Sequence, residues 1–252
     1  MKLTNPRVHG PRARSVVAIL LFGVALGASQ PAHAALTFFP DRAAFESAHP
    51  GLDVEDFEEG AVFRNFSSPL DSASDNRAFH PGDILPGVAF SNSDPAATVD
   101  DLILLDGSGV VGLPSKALSK ALDSLGDSFG SGLDITFAGD HVFAVGLDAF
   151  LDNTTGVLSV AETRVSIFGS AGLLDTVTLF TSASGPVFFG VASDLDPIKR
   201  INVDGVFPGH FSFELVDNVS FASSVPTPGV LALMITGLAI LVPFASTTRR
   251  RL

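Results

Sequence analysis

Thr163-Arg164-Val165-Ser166-Ile167-Phe168-Gly169 and, after Ser170-Ala171, Gly172-Leu173-Leu174-Asp175-Thr176-Val177-Thr178-Leu179-Phe180 is the stretch that decides the fold. Apolar and polar residues alternate through Arg164–Phe168 and again through Thr176–Leu179. A period of two is that of a β-strand with one face buried. The Ser170-Ala171-Gly172 turn signal separates the two runs. Working outward, Leu133–Ala138, Val142–Phe150, Val187–Val191, Ile198–Val203 and Phe211–Phe221 read as further strands. Turn signals such as Ala138-Gly139-Asp140 separate them. Many short strands at this spacing predict an antiparallel β-sandwich or barrel.

The first half is sparser. Leu36–Phe39 reads as a strand, and Asp41 as the cap of a short helix through Phe45 and Ala48 that Pro50-Gly51 stops. Val54–Glu58 reads as a strand ending at Glu59-Gly60. Residues 61–86 read as long polar loops, Val88–Phe90 and Leu102–Leu105 as strands, and Lys116–Leu125 as a helical turn or two inside a Gly/Ser-rich stretch.

Both ends of the 252-residue chain carry address signals. Lys2, Arg7, Arg12 and Arg14 precede an apolar run from Ser15 to Ser29, and Ala32-His33-Ala34 supplies the small-x-small pattern. Residues 1–34 therefore read as a signal peptide that signal peptidase cuts between Ala34 and Ala35. At the other end, Gly229 to Thr248 holds 20 uncharged residues, enough to cross about 30 Å of hydrocarbon as a transmembrane helix. Arg249, Arg250 and Arg251 follow and should stay cytoplasmic. The expected domain is 35–224, with a sorting tail at 225–252.

All 27 acidic residues lie in 35–224 against eight basic ones, a net charge of −19 where the whole chain has −12. Such a surface excludes nucleic acid as a natural partner. There is no Cys, so export brings no disulfide, and there is no Trp or Tyr, while Phe occurs 22 times.

The tail, with Val225-Pro226-Thr227-Pro228, the apolar run and the arginine cluster, resembles the PEP-CTERM sorting signal of Gram-negative bacteria. Val225, Pro226 and Pro228 match the motif, and Thr227 stands where Glu is usual. The resemblance implies processing by an exosortase, membrane anchoring through the helix before cleavage, and release or attachment outside the cell. It also implies a setting of exopolysaccharide and biofilm. The central domain resembles the β-sandwiches of such proteins on Asp56-Phe57-Glu58-Glu59-Gly60, Val187–Val191 and Phe213–Phe221, and the first and last of these stretches also resemble jelly-roll carbohydrate-binding modules. That likeness implies a jelly roll with first and last strands adjacent, where Glu58 and Asp217 would share a structural calcium ion.

The expected function is a non-enzymatic cell-surface or matrix protein. The alternative is a secreted carbohydrate-binding module or a weakly recognisable carbohydrate-active hydrolase, whose two carboxylates the sequence does not nominate. Phe63, Phe66 and Phe79 stand in polar loop regions, where they would either receive a sugar or plug loops onto the core. Gly126-Asp127-Ser128-Phe129-Gly130 satisfies G-x-S-x-G but lacks the strand-to-helix setting and a partner histidine. His49, His80, His141 and His210 are far apart and read as loop or surface residues. Asp194 and Asp196 read as shaping the turn before Pro197.

Overall fold

The computed structural model describes residues 34–93, 100–110, 113, 115–120, 132–152, 157–206 and 213–222. Thirteen strands run β1 (Leu36–Phe39), β2 (Asp53–Glu55), β3 (Phe63–Ser67), β4 (Val88–Asn92), β5 (Asp100–Asp106), β6 (Lys116–Lys120), β7 (Leu133–Phe137), β8 (Ala144–Asp152), β9 (Glu162–Gly169), β10 (Gly172–Phe180), β11 (Val187–Ser193), β12 (Arg200–Val206) and β13 (Phe213–Ala222). Two short helices join them, α1 (Arg42–Ala48) and α2 (Gly107–Val110).

The strands form two antiparallel sheets. One has eight strands in the order β1-β11-β8-β13-β6-β5-β3, with β2 also on β13. The other has five, β10-β9-β12-β7-β4. The sheets pack face to face as a β-sandwich. Leu102, Leu104, Leu118, Val145, Leu147, Ala149, Val216, Val219 and Phe221 of the first meet Val88, Phe90, Leu133, Ile135, Phe137, Val165, Ile167, Ile201 and Val203 of the second in one buried cluster. The hairpin that decides the fold is β9–β10, with Thr176 opposite Ser166 and Val177 opposite Val165.

Two expectations need correction. Lys116–Lys120 is a strand, not a helical turn, because it fills the place between β5 and β13. Part of the expected 61–86 loop is strand β3, whose register on β5 shifts between Arg64 and Phe66, so its alternation is broken in the sequence. Asn65 sits at that shift with φ 60°.

Helix α1 forms as its cap predicts, with Ala44 N donating to Asp41 Oδ1 at 2.8 Å. It lies on the outer face of the eight-stranded sheet. Phe45 reaches Phe39 at 5.4 Å and Phe188 at 5.7 Å between ring centroids. Gly146 of β8 makes this approach possible. A Cβ there would stand 2.7 Å from Phe45 Cε1 and 3.0 Å from Phe188 Cζ. Gly146→Val should therefore lower stability by about 1–3 kcal/mol through overpacking. A urea-unfolding midpoint unchanged from wild type would remove this account of the glycine.

His49 closes α1 and is buried, not at the surface. Phe39 and Phe45 flank its ring, and neither ring nitrogen has a hydrogen-bond partner among the described residues. Burial lowers its pKa, because the cation would be poorly solvated there.

Candidate functional site

The first strand does not adjoin the last, because β1 pairs with β11, but the segment just before Glu58 does. Strand β2 pairs with the end of β13 (Glu55 opposite Val219), while β6 pairs with its beginning (Val216 opposite Leu118). On the other side of β13, the register with β8 shifts between Asp217 and Ser220. Asn218 there has φ 49°, a conformation that asparagine tolerates. Asp217 is buried in the fork. Its Oδ1 accepts from Asn218 N at 2.6 Å, and its Oδ2 accepts from Ser115 Oγ and, at 3.1 Å, from Asn218 Nδ2.

Two more carboxylates act on it. Asp148 of β8 accepts from Asn218 Nδ2 at 3.1 Å and pairs with Arg42 at 3.1 Å. Glu58 accepts from Lys116 N at 2.7 Å, and Lys116 Nζ lies 2.6 Å from Glu58 O and 3.8 Å from its Oε2. Burial pushes the Asp217 carboxyl up to about 6. The donors Ser115 and Asn218 oppose the rise, and the charges of Asp148 and Glu58 add to it. Carboxylate oxygens are the ligands a hard cation takes, with Asp217 buried and Glu58 half exposed at the mouth of the fork. Lys116 supplies part of that positive charge from the Glu58 side.

A second acidic group adjoins it. Ligand oxygens of Glu55, Asp56 and Glu59 lie within 4.8 Å of one another, close enough to hold a metal ion. Glu55 is buried and already engaged, with Oε1 accepting from Phe57 N at 2.9 Å and Oε2 from Leu85 N at 2.8 Å. Burial raises its pKa, and those two amides pull it back.

The outer face of the five-stranded sheet holds a feature that the sequence did not reveal. Ser91, Asp134, Asn202, Ser166 and Thr176 stand opposite one another in a single row across all five strands. The next row carries Thr136, Arg200 and Phe168. Asp134 fixes both rows, accepting from Arg200 NH1 at 2.7 Å and from Asn202 Nδ2 at 2.8 Å. The Arg200 guanidinium lies 3.8 Å from the centre of the Phe168 ring. Ser166 Oγ and Thr176 Oγ1 are 3.3 Å apart. The face is thus polar and edged by an aromatic ring.

No family model and no curated protein matches the chain. Solved structures are similar to it only loosely. One is the two-module CBM22-1–GH10 fragment of the Clostridium thermocellum endo-1,4-β-D-xylanase 10B, complexed with xylohexaose (11% identity, TM-score 0.35, 69% of this chain against 28% of that one). Another is the K2 cleaved adhesin domain of Lys-gingipain (12%, 0.37, 68% against 98%). A third is a family 29 carbohydrate-binding module (11%, 0.29, 54% against 90%).

The remaining sequence candidates divide. Phe66 and Phe79 are core residues in edge contact with each other at 5.6 Å, so they plug the loops rather than offer a platform. Phe63 is half-buried beside Arg77. His80 is exposed and lies 3.3 Å from Asp75. Asp194 and Asp196 tie strand ends together across the fold. Ala35 N donates to Asp194 at 2.7 Å, and Ser170 N donates to Asp196 at 3.1 Å. The Gly126–Gly130 motif, His210, residues 1–33 and the whole 225–252 tail lie outside the described residues. Among the described residues no helix is long and apolar enough to cross a membrane.

Proposed function

We propose that the protein is an exported, non-catalytic binding module of the bacterial surface or matrix, and that it holds an extracellular polysaccharide on the outer face of its five-stranded sheet. The observation that carries this reading is the row from Ser91 to Thr176, with Asp134 clamping Arg200 and Asn202 beside Phe168. Sugar hydroxyls both donate and accept. Carboxylate, amide, guanidinium and hydroxyl groups on one face match them, and the Phe168 ring adds apolar surface beside them.

The address comes from the two ends. The signal peptide delivers the chain across the inner membrane, and the Val225–Pro228 motif, the apolar run and Arg249–Arg251 present it to an exosortase. The two packed antiparallel sheets are in keeping with a jelly-roll-like sandwich, and calcium shared by Glu58 and Asp217 would brace the fork where β2 and β6 part on β13.

The test uses protein recovered from the envelope and medium of its own host. Intact mass should begin at Ala35 and end near Pro228. On a glycan array that protein should bind selectively, and the double variant Asp134→Ala/Asn202→Ala should bind at least about tenfold more weakly, which is about 1.4 kcal/mol. A silent array, or binding indifferent to the double variant, would refute the sheet-face reading. A mass running through Leu252 would refute tail removal alone.

A further inference from the structure

A cleft of about 300 Å³ opens beside β3, the last strand on its side of the eight-stranded sheet. Phe63, Asn65, Phe66, Ser67, Asn76 and Arg77 line it. Its chemistry is unlike the rest of the acidic surface. Five other cations among the described residues lie against carboxylates, Arg42 on Asp148, Lys116 on Glu58, Lys120 on Glu214, Lys199 on Asp140 and Arg200 on Asp134. Arg77 is exposed, and among the described residues its guanidinium meets only the Phe63 ring, 5.5 Å from the ring centre.

The second donor is Asn76. Its Oδ1 accepts from Ala78 N at 2.8 Å and from Phe79 N at 2.9 Å, which leaves Nδ2 as the free end of that side chain. The acids of the same loop are turned to partners of their own. Asp71 accepts from Ala73 N and Ser74 Oγ, Asp75 meets His80, and Asp83 accepts from His80 N. The cleft therefore presents a forked cation, an amide donor and the amide of Asn65, held by a ring that fixes where the fork points.

We propose that this cleft binds a carboxylate set among hydroxyls, as in a uronate residue of an acidic polysaccharide. A guanidinium fork fits a carboxylate through two parallel hydrogen bonds, and amides serve the neighbouring hydroxyls. The acidic domain opposes a polyanion at long range, but salt screens that field within about 8 Å at physiological ionic strength, and the local contacts persist. One uronate is held weakly, and a chain engaging several molecules gains by avidity. The inference rests on the reading that the protein meets an extracellular polysaccharide, but it uses a different face.

The test titrates trigalacturonate, its methyl ester and acetate into the protein recovered from its host, by calorimetry. Trigalacturonate should bind at least tenfold more tightly than either control. Arg77→Ala should abolish the difference with the thermal midpoint unchanged, Arg77→Lys should lose several-fold, and Phe63→Leu should weaken binding by freeing the fork. The Asp134→Ala/Asn202→Ala variant should keep full trigalacturonate affinity, which separates this cleft from the sheet face. Equal binding of the methyl ester, or of acetate, would overturn the assignment, and so would an Arg77→Ala variant that binds as wild type does.

Discussion

Glu214→Ala should cost about 3–5 kcal/mol of stability, and Lys120→Ala should cost as much. The two side chains are 0% and 3% exposed and lie 3.7 Å apart. Lys120 belongs to β6 and Glu214 to β13, neighbours in the eight-stranded sheet. Glu214 Oε1 also accepts from Gly205 N at 3.0 Å, and Gly205 belongs to β12 of the opposite sheet. The pair thus ties the sheets together where a hydrocarbon contact would otherwise be expected. Removing one member takes a charge-assisted contact away from a buried position, and Glu214→Ala also orphans the Gly205 amide. Replacing both, as Lys120→Met with Glu214→Leu, should restore most of the loss. Urea unfolding of the two singles and the double forms the cycle. Additive losses, or single losses below about 1 kcal/mol, would mean that the pair is solvated in solution.

The second large effect concerns Asp217 and calcium. Without the cation, Asp217→Asn should stabilise the protein at pH 7.5 by about 1–3 kcal/mol. The upper figure is the rise from 3.8 to about 6, at about 1.4 kcal/mol per pH unit. The lower figure allows for the acceptor contact that an amide cannot offer both Ser115 and Asn218. The sign follows from the direction of the shift. The native carboxyl takes its proton near pH 6 and the unfolded one near 3.8, so the penalty is complete above 6 and is relieved as pH falls between those values. The gap between variant and wild type should close over that window. Calcium should act in the opposite sense, raising the melting temperature of wild type at pH 7.5, with the gain lost on chelation, on acidification below 6, and in Asp217→Asn or Glu58→Ala. A chelator that leaves the wild-type melting curve unmoved would exclude the calcium role, and a destabilised Asp217→Asn would exclude the strain.

How much of this was legible depended on what a single strand can reveal. Strands β9 and β10 could be read because each turns one face to the core, with Val165 and Ile167 on the first and Val177 and Leu179 on the second recurring at period two. Strand β3 was hidden because the shift at Asn65 breaks that period. Strand β6 was hidden because Lys120, at its end, is buried beside a glutamate 94 positions later, a pairing that no local pattern announces. The meeting of the Glu58 segment with Asp217 was legible only through likeness to a jelly roll, and Asp148, the third carboxylate, was missed. The polar row was out of reach for a related reason. Asp134 and Asn202 are 68 residues apart, and only the register of β7 on β12 places them side by side.

Strand β13 is the last described strand in the chain, yet it occupies the middle of the eight-stranded sheet, with β8 on one side and β6 and β2 on the other. The five-stranded sheet has all its strands once Val206 is available, but the larger sheet lacks its central member until Ala222. A chain made from its first residue onward therefore cannot complete the larger sheet early. Its contacts are of long sequence separation, and their loop-closure entropy must be met at the end. The larger sheet is thus built around the last described strand, and every earlier strand of that sheet waits on it for its centre.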